Sequence, residues 1–357
     1  MSVDNGGRGG SIVVLGGYGA VGKATAEILG RRFPGRVVVA GRSWDRAERL
    51  VRSSDAALRA ARVDVERPDE VNCVLRGAAL VVMCVERANT AVARACLERG
   101  VHYVDVSASA PVLESIAALH DLAVSNAATA VLSVGVAPGL TNLLARRCAE
   151  RLSDARTVDL SLLLGLGGEH GADSVRWVVD HLLEPGGRGR GSRPRRARVR
   201  LGRAGVRTVH PFSFSDQYTV GEALGVRATT RICFDSRLVT SAVFGLRTAG
   251  FFALLRRLRA GSPLAALMGR LHFGSDGFVV HASASDGSGA AVTGTVTGRE
   301  TCHATGAVAA LVAQALYGDG GPGGVIHIDR FPKAASLLDE LAEHGMSVRW
   351  SGERVRS

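Results

Sequence analysis

Apolar positions in the first 150 residues fall into short, nearly continuous runs rich in β-branched side chains. The runs are Ile12 to Leu15, Val37 to Ala40, Ala61 to Val65, Leu80 to Val85, Val101 to Val106 and Ala130 to Val134. Between them apolar residues recur at helical spacing, which predicts helices over about 20–31, 44–52, 68–76, 89–99 and 111–126. Continuous rather than alternating runs are expected of strands covered on both faces. Six strands alternating with helices therefore predict an α/β fold with a doubly wound parallel sheet, since right-handed crossovers leave few other topologies.

After about Thr141 the rhythm changes. A helix is expected over Asn142–Leu152, then a strand from Val158 to Leu164, a turn holding Gly165, Gly167, Gly168 and Gly171, and a helix near 173–183. Residues 185–207 are a Pro/Gly/Arg stretch with nine arginines from Arg188 through Arg207. Arg231 to Phe234, Phe278 to Ser283 and Ala290 to Thr297 read as strands of a mixed sheet. A helix over about 303–317, a Gly/Pro loop over Gly318–Gly324 and a helix over 334–344 close the chain. The pattern predicts a second, α+β substrate domain with a mixed sheet.

Composition narrows the class without adding a partner. The chain has 357 residues and a formal net charge of +11, yet lysine occurs only at Lys23 and Lys333. So extreme an arginine skew, with 45 glycines, points to a GC-rich coding bias rather than to a nucleic-acid surface. The arginine run has no interleaved aromatics on which bases could stack. Six scattered cysteines form no CxxC pair and no cluster at zinc-ligand spacing, so free thiols and no metal are expected. No apolar run reaches the ~18 residues of a membrane span, and the polar, Gly-rich start lacks the apolar stretch of a signal peptide. A cytoplasmic protein that binds neither membrane nor nucleic acid is the expectation.

The most informative stretch is Ile12-Val13-Val14-Leu15-Gly16-Gly17-Tyr18-Gly19-Ala20-Val21-Gly22-Lys23. Gly17, Gly19 and Gly22 satisfy G-x-G-x-x-G directly after an apolar strand and at the opening of a helix, which makes the sheet Rossmann-type. The first glycine permits the tight turn, the second lets backbone approach a pyrophosphate, and the third allows close helix packing. Free amides at the helix start favour the phosphates, so Gly17, Tyr18, Gly19, Ala20, Val21 and Gly22 are expected to hold a dinucleotide. The missing G-K-[ST] argues against a Walker-type NTPase. At the end of the second strand an NAD site places a carboxylate; here the chain reads Val39-Ala40-Gly41-Arg42-Ser43. Arg42 offers a charged fork and Ser43 a hydroxyl to a 2′-phosphate, so NADP (NADPH) is the expected cofactor. Asp64 and Val65, after the third strand, are expected near the adenine.

With these residues in place the chain resembles the saccharopine dehydrogenase-like family of NAD(P)-dependent oxidoreductases. The resemblance is carried by the Gly16–Gly22 turn, Val81 to Val85, Ala95 to Ser107, Gly135-Val136-Ala137-Pro138-Gly139-Leu140-Thr141-Asn142, and Gly324-Val325-Ile326-His327. It implies a domain division of 1–141, 142–302 and 303–357, the last segment returning to the nucleotide-binding domain. It also implies that the loop Cys84-Val85-Glu86-Arg87 runs beside the nicotinamide, with Cys84 and Val85 as cofactor contacts, and that the protein is a homodimer.

Tyr103, Asp105 and Ser107 follow strand five at the carboxyl edge of the sheet, where doubly wound folds bind ligands. Asp105, Tyr103 and His170, the last beside Glu169 in the Gly-rich turn, are the catalytic candidates; Asp121 is a weaker one. Thr141 and Asn142 are expected as polar contacts, and Arg227, Arg231 and Arg237 join the Arg188–Arg207 run as candidates for carboxylate recognition. The resemblance implies hydride transfer to or from an imine or secondary amine with a carboxylate- or amine-bearing small-molecule substrate. Reduction of an activated C=C or C=O bond, and a non-catalytic NADP-binding sensor, are the alternatives.

Overall fold

The computed structural model describes residues 9–167, 195–252 and 273–351. They divide into two compact units, one running to Gly135 and resuming at Thr305–Leu337, the other comprising Val136–Ala304 and the chain from Leu338 onward. His170, Glu169 and the helix expected near 173–183 lie outside the described residues.

The first unit is a seven-stranded sheet whose strands β1 (Ser11–Leu15), β2 (Val37–Gly41), β3 (Leu58–Arg62), β4 (Ala78–Met83), β5 (His102–Asp105) and β6 (Thr129–Leu132) are joined by β13 (Gly324–His327). Their order is β13-β6-β5-β4-β1-β2-β3, and every pairing is parallel. Ile12 to Leu15, Val37, Val39 and Leu80 to Met83 are wholly enclosed by the flanking helices, as their unbroken apolar runs require. Each such side chain contributes roughly 1.5–3 kcal/mol on burial. The reversal of strand order between β1 and β4 places the turn after β1 beside the loop after β4, the usual ligand crevice of such sheets.

Three elements depart from the sequence reading. β3 starts at Leu58 and pairs Leu58 to Arg62 with Val37 to Gly41, so Val63, Asp64 and Val65 fall beyond the sheet's carboxyl edge. The helix expected over 111–126 is two, α5 (Ala110–Ala117) and α6 (His120–Ser125). The break sinks Leu119 into the core and lets the His120 ring accept a hydrogen bond from the Val325 amide at 3.1 Å. Gly324 to His327, which follows the expected loop and had no element assigned to it, pairs with β6 as the seventh strand.

The second unit holds a mixed sheet of seven strands in the order β14-β12-β11-β7-β10-β9-β8. The strands are β7 (Ala155–Leu166), β8 (Ala197–Arg200), β9 (Val206–Pro211), β10 (Arg227–Phe234), β11 (Phe273–Asp286), β12 (Ala291–Arg299) and β14 (Ser347–Ser351). β7 and β10 run parallel, and the other pairings are antiparallel. β8 lies inside the arginine-rich stretch and β9 begins at its end. There Arg198 and Arg200 are exposed on one face while Ala197 and Val199 pack toward Leu201, Val209 and Cys233. Arginines at period two are compatible with a half-buried strand, a pattern hidden by the Pro/Gly/Arg composition.

The chain's end corrects the expectation that 303–357 returns whole to the nucleotide-binding domain. Residues 305–337 belong to that unit, but β14 is an edge strand of the second sheet. The reason lies across the sheet: Gly294 on β12 leaves room for the Trp350 ring, which the Arg151 guanidinium covers 4.0 Å from its centroid. Among the described residues, no helix is long and apolar enough to cross a membrane.

Candidate cofactor site

The turn between β1 and α1 (Ala20–Arg32) is built so that backbone, not side chains, faces a ligand. Gly16 takes a φ of +78°, the conformation that turns the chain out of the strand. The conformational demand thus falls one residue before the motif's first glycine. A Cβ on Gly17 would lie 2.8 Å from the Val14 carbonyl, and one on Gly22 would run into the Gly16 carbonyl, so both positions require bare backbone. Gly19 caps the helix without a side chain, and the first intrahelical bond runs from the Lys23 amide to its carbonyl at 2.8 Å. The amides of Ala20, Val21 and Gly22 are left for an external acceptor, and no acidic residue stands in that first turn. This cradle fits a pyrophosphate.

At the end of β2 the Tyr18 ring lies where a side chain on Gly41 would be, and its hydroxyl accepts from the Ser43 amide at 3.1 Å. Ser43 caps α2 (Trp44–Ser53) by accepting from the Arg46 amide, so its oxygen also organises the helix that carries Arg46. The Arg46 guanidinium lies 4.6 Å from the Tyr18 ring centroid, and Arg42, directly after β2, is exposed. Arg42 thus takes the place after β2 where NAD-selective sites carry a carboxylate, and Arg46 follows one helical turn on. Asp64 binds its own turn, its carboxylate accepting from the Glu66 amide at 3.1 Å, while Val65 packs against the core.

The loop after β4 closes over the turn: the Cys84 amide donates to Leu15 at 2.9 Å, and Val85 fills the space beside Gly16. Burial pushes the Cys84 thiol up to about 12, outweighing a hydrogen bond with Thr25. It is a neutral wall rather than a nucleophile.

Tyr103 and Asp105 come together, but wholly enclosed. The Asp105 carboxylate accepts from the Tyr103 hydroxyl at 2.6 Å, the Ser107 amide at 2.7 Å and the Asn89 amide group at 3.0 Å. Burial pushes its carboxyl up despite these donors, and burial together with Asp105 pushes the Tyr103 phenol well above its ordinary value. The pair ties the start of α4 (Asn89–Leu97) to the loop after β5. Facing outward from this network, half-buried Glu86 accepts from the Ser107 hydroxyl at 2.7 Å. Farther along the same edge Ser133 lies 2.8 Å from the His327 ring nitrogen. Asp121 sits exposed on α6.

Residues 12–131 match the family model for the saccharopine dehydrogenase NADP binding domain. Those residues carry a saccharopine dehydrogenase-type NADP binding domain. The cradle, the two arginines and the absent carboxylate agree with NADP as cofactor of this domain. The fold is shared with saccharopine dehydrogenase (L-Glu forming) from Saccharomyces cerevisiae, at 14% identity over 96% of this chain and 100% of that one, with a TM-score of 0.63. A dehydrogenase from Chromobacterium violaceum aligns at 11% identity over 81% of this chain and 74% of that one, with a TM-score of 0.37. That superposition is too loose to inform the fold.

Sequence reasoning missed Arg46 and Glu86 in this NADP binding domain. Arg46 follows Arg42 by four residues, a spacing that was readable; its partner Tyr18 was not, because the contact joins two distant turns. Glu86 stood in the quoted loop, but nothing in sequence distinguishes it from a solvated carboxylate. In the second unit, Thr141 and Asn142 are buried rather than presented. Asn142 accepts from the Gly139 amide at 3.1 Å and donates to Thr219 at 2.9 Å, pinning α7 (Leu140–Ala149) to α8 (Asp216–Leu224). Asp216 beside them is enclosed, bonded by the Thr230 hydroxyl at 2.6 Å, and its carboxyl is pushed up to about 6 by burial. Arg231, one of the carboxylate-recognition candidates, is paired with Asp159 at 2.6 Å. Among the described residues no group of His, Cys, Asp and Glu could hold a metal.

Proposed function

We propose that this protein transfers hydride between NADP(H) and an imine or its secondary-amine product. The observation that carries the reading is the division of labour at the carboxyl edge. Asp105 and Tyr103 are enclosed and committed to each other, leaving half-buried Glu86 as the carboxylate at that loop with access to solvent. A carbonyl needs a well-placed acid to accept its developing negative charge, whereas a protonated imine is already an electrophile. A weakly acidic site suits the second.

In this mechanism NADPH, when bound, supplies the hydride. The amides of residues 20–22 and the guanidinium groups of Arg42 and Arg46 hold its phosphates. The Cys84–Val85 loop excludes water from one side, and the Tyr103–Asp105–Asn89 network fixes the loops that frame the reacting carbon. Glu86, bonded to Ser107, is the group placed to carry a proton between solvent and the substrate nitrogen.

NADPH oxidation measured over pairs of amines and keto acids tests this. Turnover is expected only when both members of a pair are present. Oxidation of NADPH by a carbonyl or enoyl compound alone would overturn the imine reading. Tight NADPH binding without turnover on any pair would instead support a non-catalytic sensor.

A further inference from the structure

A second concave site lies entirely within the mixed-sheet unit, between the β8–β9 hairpin, the end of β10 and α9 (Arg237–Thr248). Its volume is about 710 Å³, within the usual range for a small-molecule pocket. Four arginines line it: Arg196, Arg198, Arg207 and Arg237. Among the described residues none of the four forms an ion pair with a carboxylate. Two are held by backbone carbonyls instead. Arg207 donates to Asp235 at 2.8 Å and to Ala204 at 3.0 Å, and Arg237 donates to Val206 at 3.1 Å. Asp235 turns its carboxylate away, accepting from the Ser275 amide at 2.6 Å and the Ser236 amide at 2.8 Å.

The wall is flat and aromatic. The His210 ring stacks on Phe244 with centroids 4.2 Å apart and planes within 6°. Burial and the nearby Arg196 charge hold His210 below its ordinary value, which favours the uncharged ring in the wall. Cys233 contributes a thiol pushed up to about 11 by burial, inert at neutral pH. Arg207 is held through two nitrogens and Arg237 through one, which leaves further guanidinium donors uncommitted, and clustered like charges with no ion-pair partner among the described residues favour an anion.

We propose that this pocket binds a small polyanion bearing two or more carboxylate or phosphoryl groups. The site is separate in its residues from the cofactor cradle and does not depend on the reaction assigned above. Isothermal titration of the full chain saturated with NADPH, so that the cradle is filled, tests it with citrate, inorganic pyrophosphate and the neutral triamide of tricarballylic acid as probes. One-to-one binding of citrate or pyrophosphate is expected, weakened as salt rises, with no heat from the triamide. Tighter citrate binding identifies a carboxylate ligand, and tighter pyrophosphate binding a phosphoryl one; either supports the site. In the Arg198→Gln/Arg237→Gln variant, binding should fall at least about 10-fold while NADPH affinity and the thermal midpoint stay unchanged. Because both side chains are exposed, that variant is expected to fold. Absence of anion binding to the NADPH complex, or equal binding by the variant, would overturn the proposal.

Discussion

The guanidinium of Arg46 lies over the ring of Tyr18, 4.6 Å from its centroid, while the Tyr18 hydroxyl holds the Ser43 amide at 3.1 Å. One aromatic side chain from the phosphate turn thus positions both the loop carrying Arg42 and the helix carrying Arg46. Charge-assisted bonds to a phosphate are worth roughly 1.5–3 kcal/mol each. Arg42→Ala and Arg46→Ala should each raise the NADPH dissociation constant by about 10- to 100-fold and leave NADH binding nearly unchanged. Fluorescence titration of both cofactors measures this, and equal losses for the two would remove the 2′-phosphate role.

Gly22→Ala places a methyl group against the Gly16 carbonyl. Relief requires the helix start to move off the turn, which disperses the free amides that face the pyrophosphate. Expected are a stability loss of about 1–3 kcal/mol and a large drop in affinity for NADPH and NADH alike. Urea denaturation paired with cofactor titration checks both. Unaltered affinity would mean that the cradle does not hold the diphosphate.

Tyr103→Phe removes one donor from buried Asp105, and Asp105→Ala strands both the phenol and the Asn89 amide. The first should cost about 1–3 kcal/mol of stability and the second more. Positioning residues predict a modest fall in kcat with an unshifted pH profile. A thousand-fold loss in a fully folded Tyr103→Phe protein would instead make the phenol a catalytic group.

Asp216 links stability to pH. Its carboxyl lies at about 6 in the folded chain against 3.8 ordinarily, so between those values the folded state keeps a proton that the unfolded state has released. The contribution is fully present below pH 3.8 and is lost as pH rises through about 6, with a ceiling near ~3 kcal/mol. Thermal midpoints recorded across pH 4–7 should fall less steeply in Asp216→Asn than in the parent; parallel curves would exclude this group as the source.

Cys84 and Cys73 should differ sharply toward iodoacetamide at pH 8. Cys73 is exposed, whereas the Cys84 thiol titrates at about 12. Mass spectrometry is expected to find label on Cys73 and essentially none on Cys84. Rapid modification of Cys84 would reveal a thiolate and reopen a nucleophilic role.

Much of the first unit was legible because its signals are local. The runs at Ile12, Val37 and Leu80 need only their own side chains to demand burial on two faces, and Gly17, Gly19 and Gly22 carry their meaning in spacing alone. The absence of a carboxylate after Ala40 is equally local and indicated the cofactor. The second unit was harder. Its β8 and β9 are read from a stretch whose composition suggests a loop, and β14 is decided by the space that Gly294 leaves for Trp350 across the sheet.

What the sequence by itself determined is therefore the doubly wound sheet, the phosphate turn and the cofactor class, each set by short-range periodicity or by a motif in one loop. Tertiary structure alone decided that Asp105 and Tyr103 face inward, that Arg46 rests on Tyr18 and that four arginines share one cavity. Burial and charge pairing depend on which distant segments meet, and no spacing along a single chain encodes that directly.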